Sequence, residues 1–198
     1  MNLKTFLKTT SKPLLILFLL NFIWTISIFI APYTVSPGSI KNLDGEANII
    51  NYAEKWNNLS LYPRIVYYFG DLNCHQKYYR SFYLNENQLP IDARMTSIFV
   101  FANFGFLLAM VRKPSRYLSI AVLNLFPEKW HNSITRIMGP NILLIVFLAF
   151  TILPVAIDGF AQLLLPYEST NLLRVLTGST LGIGGAYILG AMLTGMRE

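Results

Sequence analysis

The chain has 198 residues, of which 54% are hydrophobic and 13% charged, and its formal net charge is +6. A soluble domain carries about 25% charged residues, so this composition excludes an ordinary soluble protein and indicates a membrane protein. The length suits one compact unit, and we predict a single membrane domain over residues 1–198. The lone cysteine excludes an internal disulfide.

Four segments of the chain are long and apolar enough to cross a bilayer, which takes about 20 residues in a helix. We predict an all-α integral membrane protein with four transmembrane helices, at about 13–31, 91–111, 142–165 and 172–196. The basic start of the chain resembles a signal peptide. However, its apolar run exceeds the usual length of about 7–15 residues, so we interpret it as an uncleaved first helix.

Two connections between these helices carry further patterns. We predict that residues 32–90 form an ordered outer loop with a short amphipathic helix, because Ile49, Ala53 and Trp56 recur near helical spacing within residues 48–59. Residues 118–126 are apolar but too short to span, so they lie along the interface or pack on the bundle.

The charge distribution predicts the orientation. Basic residues concentrate in residues 1–12 and 112–140, whereas residues 32–91 carry five basic and five acidic side chains. The positive-inside rule therefore places both termini and the 112–140 loop in the cytoplasm of a multi-pass cell membrane protein. Because topology accounts for the positive charge, we expect the lipid bilayer as a partner and no nucleic acid.

This topology gathers polar residues from distant parts of the chain at the outer end of the bundle. Asp158 lies about 25 Å along the third helix, and Gln162 is one turn further on the same face. Charges at membrane depth usually pair or line a cavity. The predicted cluster comprises Cys74, His75, Gln76, Arg80, Asp92, Arg94, Asp158, Gln162, Glu168 and Arg174.

The residue types in this cluster leave several chemistries open. Arginines bind phosphate and carboxylate groups bidentately, which indicates an anionic lipid headgroup. Cys74, His75 and Asp92 are candidate metal ligands. Internal pairing, with Asp158 contacting Arg174, needs no ligand. An enzyme would use His75 or Asp158 as acid or base, but the spacing does not require one, and no cofactor is indicated.

The alternative function is that of a non-catalytic structural or accessory subunit of a larger membrane complex. Gly178 and Gly182 form a G-x-x-x-G pattern in the fourth helix. Such small residues let helices approach closely. We therefore expect this face to pack against a helix, and it is the predicted contact for other membrane subunits.

Several short fragments, in this order, resemble a family of small polytopic membrane proteins known chiefly as a conserved domain of unknown function. They include "CHQ" at 74–76, "QLPIDARMTS" at 88–97, "AIDGFAQ" at 156–162, "ESTNLLR" at 168–174 and "LTGSTLG" at 176–182. The family pattern is Cys-His-Gln, Cys-Ala-Arg-Cys-Thr-Gly, Ile-Asp-Gly-x-x-Gln and Arg-x-x-Thr-Gly. It implies a thiolate-rich metal site or a redox pair. Here Asp92 and Met95 replace both later cysteines, so this chain cannot cycle an internal disulfide.

Overall fold

The computed structural model describes residues 11–195, and these residues are mostly helical. Two short strands form one antiparallel hairpin, β1 (Tyr83–Leu84) and β2 (Asn87–Gln88). The α-helices are α1 (Lys12–Ile30), α2 (Ala53–Asn57), α3 (Leu61–Asn73), α4 (Ala93–Val111), α5 (Leu118–Leu123), α6 (Glu128–Ile137), α7 (Pro140–Leu164) and α8 (Asn171–Gly195).

Four of these helices, α1, α4, α7 and α8, are long and apolar enough to span a membrane, which confirms the predicted all-α architecture. α4 begins two residues later than predicted because Asp92 caps it, with Oδ1 accepting a hydrogen bond from the Met95 N–H at 2.7 Å. α7 begins two residues earlier, because Pro140 fits the first turn of a helix. Residue 196, the predicted end of the last helix, and residues 1–10 lie outside the described residues.

The central pair of the bundle is α4 and α8, which make the most extensive contact between any two elements. A Cβ atom added to Gly178 would lie 2.7 Å from the Arg94 carbonyl oxygen, and one added to Gly182 would lie 2.6 Å from that of Ile98. The predicted close packing of this glycine face is therefore confirmed. Because α4 covers these two glycines, contact of the protein with other membrane subunits stays a prediction.

The remaining spans, α1 and α7, flank this pair. Polar side chains join α1 to α4, since the Asn21 amide donates to the Phe99 carbonyl oxygen at 3.0 Å and the Asn103 amide donates to Thr25 Oγ1 at 3.0 Å. In the adjoining apolar core, Leu14 from α1, Leu143 from α7 and Tyr187 from α8 pack together with residues of α4 and α5.

The connection between α4 and α7 holds two helices that behave differently. Ala121, Val122 and Leu123 of α5 are buried, so residues 118–126 pack on the bundle. No residue of α6 is buried. Its apolar side chains Trp130 and Ile137 are 51% and 80% exposed. This helix was not predicted from the sequence.

The α1–α4 connection (residues 31–92) is ordered, as predicted, but its helices differ from the prediction. Only Ala53–Asn57 of the expected amphipathic stretch is helical, and the longer helix is α3. Asn85 and Glu86 turn the hairpin in the left-handed backbone region, with φ of 50° and 56°. The residues that follow are buried and hold the loop, since Asn87 Oδ1 accepts from the Ile40 N–H at 2.9 Å and Gln88 Oε1 accepts from the Leu43 N–H at 3.0 Å.

Candidate functional site: a charged network at one end of the bundle

A buried carboxylate on α7 meets an arginine on α4. Asp158 lies near the end of α7 with 4% of its side chain exposed, and Arg94 lies in the first turn of α4 with 20% exposed. Arg94 Nη2 donates to Asp158 Oδ2 in an ion pair. The Tyr167 hydroxyl donates to Asp158 Oδ1 at 3.2 Å. Each carboxylate oxygen of Asp158 therefore accepts a hydrogen bond.

Arg174, in the first turn of α8, is held by three other groups. Its side chain is 2% exposed and pairs with Glu168, while Nη2 also donates to Gln162 Oε1 at 3.0 Å and Nη1 donates to Asn171 Oδ1 at 3.1 Å. The Gln162 amide in turn donates to Asp158 Oδ2 at 3.3 Å. The predicted direct pair of Asp158 with Arg174 is therefore wrong, because Gln162 lies between them and each charge has a different ionic partner.

The α1–α4 connection contributes a second arginine to the same carboxylate. Arg80 Nη2 donates to Glu168 Oε2 at 2.6 Å, and its guanidinium lies 5.3 Å from the centre of the Tyr79 ring. Partial desolvation raises the pKa of Glu168, but the hydrogen bonds from Arg80 and Arg174 outweigh it and the net pKa is lowered. Glu168 is therefore ionised at neutral pH and joins the connection to α8.

These contacts form one continuous structure, called here the charged network. Its members are Arg80, Arg94, Asp158, Gln162, Glu168 and Arg174. It contains three guanidinium groups and two carboxylates, and the carboxylate of Asp92 also lies close enough to raise the pKa of Arg80. The Nε atoms of Arg80 and Arg94 are buried and have no hydrogen-bond partner among residues 11–195. Buried polar groups are nearly always paired, so these two donors are exceptions among the described residues.

The remaining members of the predicted cluster make no hydrogen bond to the charged network, although Asp92 lies near Arg80. Cys74 packs in an apolar cluster with Ile28, Leu89 and Ile91, and its Sγ accepts from the Asp92 N–H at 3.3 Å. Burial, together with the negative charge of Asp92, raises the pKa of the Cys74 thiol to about 12. Cys74 is thus a protonated core residue at neutral pH.

His75 and Gln76 make hydrogen bonds to the backbone of the α1–α4 connection. His75 is exposed, and its Nδ1 accepts from the Ala47 N–H at 3.2 Å. The Gln76 amide donates to the Pro90 carbonyl oxygen at 2.7 Å. Within the described part of the chain, no three His, Cys, Asp or Glu side chains come close enough to hold a metal ion. The proposed ligand set of Cys74, His75 and Asp92 is therefore not assembled.

Of the two positions at which the resemblance implies cysteines, Asp92 contacts Cys74 and Met95 packs against the apolar cluster that contains it. The backbone N–H of Asp92 contacts the Cys74 sulfur, and Met95 packs against the same apolar cluster.

One buried carboxylate, Asp71, lies outside the cluster predicted from the sequence. It is fully buried, and it accepts hydrogen bonds from the backbone N–H groups of Asn51 and Tyr52, both at 2.9 Å, from the Trp56 indole at 2.8 Å and from the Asn51 amide at 3.0 Å. A single carboxylate at the end of the aromatic stretch "YPRIVYYFGD" was its signal in the sequence. Its neutral donors make it a structural anchor for the loop.

The model of a protein family described as "Predicted membrane protein (DUF2085)" matches residues 74–188, more than half of the chain. The chain belongs to the DUF2085 family. This membership agrees with the resemblance to a family of small membrane proteins, and the matched range includes every member of the charged network. No solved structure matches this DUF2085 protein.

Two archaeal relatives are similar to this DUF2085 chain. "Uncharacterized protein MJ1492" of Methanocaldococcus jannaschii is 30% identical over 173 residues, which cover 86% of each chain. An "Uncharacterized protein" of Methanothermobacter thermautotrophicus is 32% identical over 115 residues, which cover 58% of this chain and 82% of its own.

Proposed function

We propose that this DUF2085 protein binds an anionic group, the phosphate of a lipid headgroup, at the charged network. The observation that carries the proposal is the convergence of three guanidinium groups, two of which, those of Arg80 and Arg94, have buried Nε donors without a partner among residues 11–195. Guanidinium groups bind phosphate through paired N–H donors. A bound anion would pair with these guanidinium groups and satisfy the two Nε donors that have no partner among residues 11–195.

The position of the network favours a headgroup over a free anion. The network lies where α7 ends and α4 and α8 begin, at one end of the membrane-spanning helices. Beside Arg80 stand four aromatic side chains, each between 39% and 45% exposed: Tyr78, Tyr79, Phe82 and Tyr83. Tyrosines are enriched at the level of lipid headgroups, so Arg80 belongs to the zone in which phosphates lie.

We also propose that the network faces the outside of the cell membrane and that both termini are cytoplasmic. At the other end of the bundle, the α4–α7 connection presents five exposed basic residues, Arg112, Lys113, Arg116, Lys129 and Arg136, against one acidic residue, Glu128. The positive-inside rule assigns such a loop to the cytoplasm. A membrane-impermeant label on a cysteine introduced at Ser133, applied to intact cells and to opened membranes, tests this orientation. Labelling in intact cells would contradict it.

Thermal unfolding in a neutral detergent tests the binding site. We expect added phosphatidylglycerol to raise the Tm of the purified protein more than phosphatidylcholine does, because a ligand that binds the folded state stabilises it. Arg80→Gln should abolish the difference. Lys41→Gln, which removes another ion pair of the same connection, and Arg112→Gln, at the opposite end, should both retain it.

Three results would contradict the proposal. Equal shifts from the two lipids would show that the headgroup charge is not recognised. A phosphatidylglycerol effect that persists in Arg80→Gln but disappears in Arg112→Gln would assign the lipid to the basic end of the bundle. A Tm increase with inorganic phosphate alone, at the same concentration, would identify a soluble anion as the ligand.

A further inference from the structure

We propose that α3 is embedded in the membrane interface and that its outward apolar stripe contacts lipid acyl chains. This stripe is formed by Leu61, Ile65, Phe69 and Leu72. The inference concerns a different surface from the charged network and does not depend on anion binding there. It makes the α1–α4 connection a partly membrane-embedded structure rather than a loop in water.

α3 is apolar on two sides. Its inner side packs within the connection, where Val66 and Tyr67 are buried and the Tyr67 ring stacks on Trp56 at 5.1 Å between ring centres. The stripe lies on the other side at helical spacing, and its four side chains are 70%, 58%, 48% and 44% exposed in chain order. A helix between a protein core and water carries polar residues on its outer side, so this stripe is typical of contact with an apolar medium.

A ring contact places α3 at membrane depth. The Phe69 ring lies 4.5 Å from the Trp24 ring, centre to centre. Trp24 lies six residues before the end of the spanning helix α1, or about 9 Å along its axis. Just after α3, Cys74 packs in the same cluster as Ile28 of α1. The second half of α3 therefore lies beside the membrane-spanning part of α1, and its exposed side continues the lipid-facing surface of that helix.

The two charged residues of α3 do not oppose this placement. Arg64 turns back toward the N-terminal end of the helix, where its guanidinium donates to the carbonyl oxygens of Asn57 at 2.7 Å and Leu59 at 2.8 Å. Asp71 is fully buried among its four donors. A charge facing acyl chains is costly, and neither side chain belongs to the stripe. A long basic side chain that reaches toward the headgroups is typical of interfacial helices.

Site-directed spin labelling tests the proposal in the full chain. Single cysteines introduced by Ile65→Cys and Leu72→Cys would carry a nitroxide in phosphatidylcholine vesicles, and Glu54→Cys on α2 would serve as the control. The wild-type chain, treated in parallel, gives the blank for the buried Cys74. We expect the labels at positions 65 and 72 to collide more with molecular oxygen, which concentrates in the bilayer, than with a water-soluble nickel chelate. The label at position 54 should show the reverse.

Two outcomes would overturn the inference. Nickel accessibility at positions 65 and 72 equal to that at position 54 would place the stripe in water. Protection of both positions from oxygen and from nickel would show that a protein surface, such as a second copy of this chain, covers the stripe. All three substitutions replace exposed side chains, and circular dichroism would confirm that the variants keep their helical content.

Discussion

Asp158→Asn is expected to be among the most destabilising conservative substitutions in the bundle. It preserves the shape of the side chain but removes the charge that Arg94 faces, and Asp158 is only 4% exposed. Breaking a buried ion pair from one side costs about 3–5 kcal/mol, because the other charge stays behind unpaired. Since Arg94 is 20% exposed, part of that cost is screened, and we expect a loss of about 2–3 kcal/mol. Such a loss lowers the folding equilibrium constant by roughly 30- to 150-fold.

Unfolding by sodium dodecyl sulfate in mixed micelles, followed by tryptophan fluorescence, would measure this free energy. A double-mutant cycle of Asp158→Asn with Arg94→Gln should give a coupling energy above about 1 kcal/mol, whereas a cycle with Arg174→Gln should give a smaller one, because only Gln162 connects the two charges. As a control, Glu86→Gln removes an exposed pair with Lys41 and should cost less than about 1 kcal/mol. Additivity with Arg94, within about 0.5 kcal/mol, would refute the assigned pairing.

Gly182→Val should destabilise the protein by about 1–3 kcal/mol, because even its Cβ atom would lie 2.6 Å from the Ile98 carbonyl oxygen. The control Gly185→Ala should be nearly neutral in the same unfolding assay, because no atom lies nearer than 4.0 Å to its added Cβ. Asp71→Ala should speed hydrogen exchange of the Asn51 and Tyr52 amides, which donate to Asp71, by about 10-fold or more, because each buried donor left unpaired costs about 1–3 kcal/mol. Unchanged exchange would contradict the role of Asp71 as an anchor. Burial raises the Cys74 pKa from 9.0 to about 12, so maleimide should label the thiol slowly at pH 8 until the protein is denatured, whereas rapid labelling of the native protein would show an exposed thiolate. The stability that the buried neutral thiol contributes should be full below pH 9 and lost between about pH 9 and 12.

The four spans were predictable from the sequence because length and apolar composition decide membrane insertion almost alone. The gathering of Arg94, Asp158 and Arg174 at one end was also predictable, since the rise of a helix fixes the depth of each residue. The sequence did not predict which arginine pairs with Asp158. That pairing depends on how the helices are rotated about their axes, and Glu168, in the short turn between α7 and α8, pairs with Arg174 instead.

Neighbours in sequence proved poor guides to neighbours in space around Cys74. The backbone is extended at this residue, with φ of −143° and ψ of 146°, and successive side chains of an extended chain point to opposite sides. Cys74 therefore enters the core while His75 faces outward. The helix α6 was not predicted for a different reason. Trp130, Ile134 and Ile137 recur at helical spacing, but the segment is too short and too polar to be recognised as a membrane-spanning run.

The central pairing of α4 with α8 has a consequence for how the protein is made. α4 and α8 are the two least apolar spans, and the more apolar α1 and α7 leave larger parts of their surface uncovered. During translation α4 is synthesised long before α8, its main partner. Until α8 is inserted, the surface of α4 that packs against it is exposed to the translocon or to lipid. Asp158 can meet Arg94 as soon as α7 is inserted, but the core closes only when α8 arrives. Synthesis halted before α8 would leave three inserted helices that lack the most extensive helix contact of the bundle, and such a chain is expected to be recognised by membrane quality-control proteases.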